Sequence, residues 1–136
     1  MLQFSDFTKW TIIPGLLTII GCSDAVKPPI IPRNDPYSRE QIHITDDDLR
    51  SHTAVQTPML TRDDAGLLFV NLPIRAATNL KLYVDYRVTW FDRNHDVLSQ
   101  TSWMHKTLPP NVPDQITFNS TTPRVVDFQI DLRYSE

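Results

Sequence analysis

From Leu80 the chain reads Leu-Lys-Leu-Tyr-Val-Asp-Tyr-Arg-Val-Thr-Trp-Phe-Asp, with an apolar residue at every second position. Leu80, Leu82, Val84, Tyr86, Val88 and Trp90 fall on one side; Lys81, Tyr83, Asp85, Arg87 and Thr89 fall on the other. Side chains on a strand point alternately to its two faces, so this pattern predicts one long strand with a buried face and a wet face. A helix would bring apolar residues round every three or four positions, and the β-branched and aromatic residues crowded here resist one. Such a strand needs a neighbour on each edge and a second layer over Tyr86 and Trp90.

The rest of the chain is punctuated to supply them. Val55 to Leu60 predicts a first strand, with Pro58 placed at an edge or a bulge because it lacks the N–H a central ladder requires. Thr61 to Gly66 is a turn, and Leu67 to Arg75 a second strand burying Leu68, Val70, Leu72 and Ile74. Asp92-Arg-Asn-His-Asp96 is a hairpin turn, with Val97 to Thr101 returning and Trp103 closing one end of the core. Pro109, Pro110 and Pro113 bound a loop, and Gln115 to Asn119 is a further strand. Val125 to Tyr134 is the last, with Val126, Phe128, Ile130, Leu132 and Tyr134 inward and Asp127, Gln129, Asp131 and Arg133 outward. Six or seven short strands with one apolar face each predict an antiparallel β-sandwich. Asp46-Asp47-Asp48 offers at most one helical turn.

The N-terminal part follows different rules. Trp10 to Gly21 is an apolar run interrupted only by threonines, a proline and a glycine, too short for the ~20 residues that cross a bilayer. With Lys9 before it, the run has the length of a secretory core. Ile19-Ile20-Gly21-Cys22 resembles a bacterial lipobox, in which cleavage falls before a cysteine that carries diacylglycerol. Several acyl chains on Cys22 make anchoring stable where one would be marginal. Ser23 after the cysteine leans, by resemblance to enterobacterial sorting, toward the outer membrane. Pro28, Pro29, Pro32 and Pro36 favour an extended chain, a tether of roughly 50 Å at ~3.1 Å per residue. Gln41 to Thr45 alternates, as the end of that tether or a short edge strand. The organisation expected is a signal peptide over 1–21, lipidated Cys22 and a tether over 22–48, and the sandwich over 49–136.

The run Thr78-Asn79, then Tyr86-Arg87-Val88-Thr89-Trp90-Phe91-Asp92, with Trp103 and Leu108 downstream, resembles the YcfL-like family of bacterial periplasmic lipoproteins. The likeness covers Leu67 to Leu132. The chain departs in the turn after Asp92, Arg-Asn-His-Asp where that family usually has a glycine, and at Ser120-Thr-Thr-Pro123, which replaces an Ala-Pro pair. The resemblance implies an immunoglobulin-like lipoprotein, encoded near cell-wall synthesis factors, with nothing catalytic.

Few function classes survive a search for chemistry. Net charge is −3 with no basic run, which argues against nucleic acid as a partner. One cysteine forms no intrachain disulfide, and a single glycine after Cys22 leaves no phosphate-cradling loop, hence no expected cofactor. Asp92-x-Asn94-x-Asp96 matches the start of a calcium loop but lacks its glycine and closing glutamate, so a solvated turn is the better reading. His43, His52, His95 and His105 show no metal-ligand spacing. Serine, histidine and aspartate all occur without a nucleophile elbow. Tyr83, Phe91 and Trp103 form a recognition patch if exposed together, and otherwise cap the core. Arg87 is expected to pair across strands with Asp127, Asp131 or Asp85. The function expected is a non-enzymatic envelope lipoprotein that binds a protein or the cell wall. A structural subunit joined through an edge strand is the alternative, and a metal-assisted hydrolase the third.

Overall fold

The computed structural model describes residues 35–136. The expected signal peptide over 1–21, the expected lipidation at Cys22 and the expected tether up to residue 34 lie outside the described residues. The elements run β1 (Ile42–Ile44), α1 (Asp47–His52), β2 (Thr53–Val55), β3 (Met59–Arg62), β4 (Leu68–Ala76), β5 (Leu82–Phe91), β6 (Val97–Gln100), β7 (Met104–Leu108), β8 (Asp114–Asn119) and β9 (Asp127–Tyr134).

They form two sheets. In the five-stranded sheet β5 pairs with β9 on one edge and with β6 and β7 on the other, and β1 flanks β9. In the four-stranded sheet β4 pairs with β8 on one edge and with β2 and β3 on the other. All pairings are antiparallel except that of β1 with β9, which is parallel. The even-numbered residues of β5 and β9 turn inward together because their register matches Val84 with Tyr134, Val88 with Ile130 and Trp90 with Phe128. Trp90, Phe118 and Phe128 meet at centroid distances of 5.5–6.4 Å and join the two layers through tilted and edge-on ring contacts. The predicted β-sandwich is the observed fold, and Leu68, Val70, Leu72 and Ile74 are all buried as their alternation requires.

Several expectations are corrected. The folded body includes residues 35–48, assigned above to the tether. Ile42 is buried, Tyr37 packs on the core, and Asp35 ion-pairs with Arg39 and Arg50. Leu80 lies before β5 and is 70% exposed, whereas Thr89 on the outer face is buried. The strand expected over Val55 to Leu60 is two strands, since Thr57 and Pro58 leave the ladder between β2 and β3. Strand β7 was unforeseen: Met104 and Leu108 face the core, but Lys106 breaks the apolar alternation by reaching Asp114 at 2.9 Å. Val126 is exposed and Val125 is buried in its place. The strands therefore number nine among the described residues, against the six or seven expected.

Turn chemistry explains the hairpin after β5. Asp92 Oδ1 accepts the N–H groups of Asn94 and Asp96 at 2.8 and 3.0 Å, and His95 adopts φ 67°. A glycine meets that conformation without strain; here His95 occupies it, with its ring edge-on to Phe91 at 5.7 Å. At Gly66, φ 81°, a Cβ would lie 3.1 Å from that of Pro123.

Candidate functional site

Strand β5 carries Asp85-Tyr86-Arg87 and β9 carries Asp131-Leu132-Arg133. Their antiparallel register sets Asp85 opposite Arg133 and Arg87 opposite Asp131. Two Asp-x-Arg triplets thus meet on the outer face of the five-stranded sheet, related by a local two-fold axis through the Tyr86–Leu132 pair. Arg87 donates from Nε and Nη2 to Asp131 Oδ2 at 3.3 and 3.0 Å. The matching pair is looser, with Arg133 Nη2 3.7 Å from Asp85 Oδ2. A histidine extends the row at each end: His43 of β1 lies 3.3 Å from Asp131, and His105 of β7 lies 3.2 Å from Asp85.

Trp103 covers this row. Thr101 takes over the ladder where β6 stops: its N–H donates to the Val88 carbonyl, and its hydroxyl accepts the Val88 N–H. The chain is released from strand geometry before β7 begins, and the indole of Trp103 lies 4.6 Å from the Arg87 guanidinium and 4.1 Å from that of Arg133. The sequence places Trp103 at an end of the core. It sits on the outer face because a broken edge, not a corner, positions it.

The carboxylates here are committed. Asp131 is 7% exposed and accepts from Arg87 and from Gln129 Nε2 at 3.0 Å, with His43 Nδ1 3.3 Å from its Oδ1. A carboxylate taken out of water needs such compensation. Asp85 accepts from Ser135 Oγ at 2.8 Å. That hydrogen bond, opposed by desolvation and aided by His105 and Arg133, holds the Asp85 carboxyl below its ordinary value. A base poised near neutrality would need the opposite shift.

A groove of 560 Å³ runs over this face, within the range of small-ligand sites. Trp103 and Gln100 form one wall, and His43 and Thr45 the other. Thr89 and Gln129 floor it with Arg87, Asp131 and Arg133. A neighbouring depression of 540 Å³ reaches Phe91 and His95 and shares Gln129 with the groove.

The three aromatic residues singled out from the sequence share the outer sheet face without forming one patch. Tyr83 is 52% exposed and stacks on His105 at 6.1 Å. Phe91 lies at the far end of β5, about 26 Å away at the rise of an extended strand. Arg87 chooses Asp131 among its three expected partners.

Ser135, His105 and Asp85 do converge, yet not as a nucleophile relay. A relay needs serine and aspartate on opposite ring nitrogens. Here Ser135 Oγ and Asp85 Oδ1 both approach His105 Nδ1, at 2.9 and 3.2 Å, and Nε2 faces Thr107. Thr107, the group with relay connectivity, lies 3.3 Å from Nε2 beside a His105 ring that is 54% exposed. Asp92 turns Oδ1 onto its own backbone, and no group of three or more His, Cys, Asp or Glu residues could hold a metal among the described residues.

Neither a family model nor a curated protein matches the sequence. Among solved structures, Campylobacter jejuni cj0090 is similar with a TM-score of 0.61 at 15% identity, over 71% of this chain and 99% of that one. A DUF1425 family member from Shewanella sp. pv-4 is similar with a TM-score of 0.55 at 21% identity, over 62% of this chain and 79% of that one. The YcfL-like family that the sequence resembles is related to DUF1425. At these identities the shared property is the fold: this chain carries the sandwich seen in both.

Proposed function

We propose that this chain is a non-enzymatic binding module of the bacterial envelope, lipid-anchored at Cys22, which takes a protein or cell-wall ligand on the outer face of its five-stranded sheet. The observation that carries this reading is Trp103, held over Arg87 and Arg133 on a face that could have been left to solvent. A rigid, pre-positioned indole beside a groove lowers the ordering cost of binding. Committed carboxylates and a misconnected Ser135–His105–Asp85 trio favour recognition over catalysis. The anchor rests on the Ile19-Ile20-Gly21-Cys22 motif.

Two experiments test the reading. In-cell photocrosslinking and co-sedimentation with isolated sacculi, run on Trp103→Ala and on Phe69→Ala, should lose the partner with the first variant and retain it with the second. Equal behaviour of the two variants would show that this face is not the binding surface. Recovery of a fixed-stoichiometry assembly through an edge strand would favour a structural subunit instead. Cys22→Ser should free the protein from membranes; a variant that stays bound with no unprocessed precursor removes the anchor.

A further inference from the structure

We infer that the groove beside Trp103 takes a neutral oligosaccharide, an inference that rests on the binding reading above and narrows its ligand. The argument begins with charge. Arg87 is matched by Asp131, and Arg133 by Glu136 at 3.0 Å with Asp85 beyond it, so the groove beside Trp103 offers an anionic ligand no uncompensated cation, and the carboxylates of Glu40 and Asp127 in the neighbouring depression repel one. What remains open is of both polarities. Arg87 spends Nε and Nη2 on Asp131, which leaves its Nη1 donors. Gln129 and Gln100 spend their Nε2 groups on Asp131 and Thr89, which leaves both Oε1 acceptors.

Sugar hydroxyls donate and accept at once, and they suit planar side chains whose remaining donors and acceptors are fixed by bonds to the protein. An indole supplies the apolar surface on which a pyranose C–H face rests, and Trp103 is pinned before any ligand arrives. Gln129 lines both the groove and the depression beside Phe91 and His95. Two neighbouring depressions along β9 suit several sugar units in a row better than one. The ligand is thus an oligomer, and affinity should rise with its length.

The test uses the full lipidated chain in detergent micelles, titrated with the tetramer and the dimer of N-acetylglucosamine and with tetragalacturonate. Indole N–H resonances and calorimetry report binding. The tetramer should bind in the millimolar range or tighter and shift the Trp103 indole signal. The dimer should bind several-fold more weakly, and the charged tetramer at least about tenfold more weakly than the neutral one. Trp103→Ala should reduce tetramer affinity at least about tenfold with the circular dichroism spectrum intact. If that variant unfolds, Gln100→Ala and the wild-type indole shift decide. Tetragalacturonate binding as well as the neutral tetramer overturns the inference, as does an unmoved Trp103 signal at about 10 mM tetramer. In either case, loss of the partner by Trp103→Ala in cells would leave the broader binding reading standing.

Discussion

The two sheets are built alike inside and unlike outside. On the five-stranded sheet the outer face carries two cross-strand groups, His43–Asp131–Arg87 and Arg133–Asp85–His105, bridged by Trp103 over both arginines. On the four-stranded sheet the outer surface shows Met59 and Phe69 about half exposed and an amide contact between Asn71 and Gln115 at 2.8 Å. Only the first of these faces carries charged side chains held in a network of ion pairs and stacked on an indole. A fold needs a wet face to be polar; it does not need that face to be ordered. Order beyond what folding asks is therefore the better pointer to a site than exposure.

The comparison can be broken from the inside outward. Phe128→Ala removes a ring that joins both layers and should cost about 3–5 kcal/mol in urea unfolding, with both sheets lost in one transition. Two separate transitions would mean that the layers fold independently. Asp131→Ala leaves the half-buried Arg87 guanidinium without its carboxylate and should cost about 1–3 kcal/mol, far more than Asn71→Ala on the other sheet. Comparable losses at those two positions would remove the contrast between the faces. Trp103→Ala gives up two cation–π contacts, about 1–2 kcal/mol together at a partly exposed site.

A smaller change is expected at Tyr134, whose hydroxyl donates to Asp48 at 2.8 Å. Burial, with Asp48 and Asp46 adding to it, pushes the Tyr134 phenol up to about 12. The native state therefore holds a proton that the unfolded chain releases above its ordinary value near 10. Stability from this group is complete below pH ~10 and is lost as pH rises toward ~12. Tyr134→Phe should cost about 0.5–1 kcal/mol at neutral pH and flatten the alkaline limb of the stability profile. Smallest of all, Phe69→Ala should change stability by no more than about 0.5 kcal/mol.

What was legible in the sequence followed from period. The alternation in β4, β5 and β9 needed no tertiary information, because each strand has one face against the core and its polar residues stayed outside. Legibility failed where one residue served two masters. Lys106 faces inward by register and escapes at the sheet edge to Asp114, so its strand read as loop. Thr89 reads as solvent-facing yet is buried, with the Gln100 amide donating to its hydroxyl. The site was half visible: Asp85-x-Arg87 and Asp131-x-Arg133 are a repeated triplet, and only the antiparallel register that matches each Asp with the other strand's Arg turns them into one network. Trp103 was visible as a residue and misplaced as a position, because a strand break has no period to read.

The lengths of the strands carry one more consequence. Those paired on both sides, β4, β5 and β9, run 9, 10 and 8 residues, whereas β1, β2, β3, β6, β7 and β8, at the rims, run three to six. A foreign chain seeking to extend either sheet finds short, interrupted templates, of which β8 is the longest. Such a sandwich resists fibril growth through its own architecture, without prolines or lysines spent as guards on every rim.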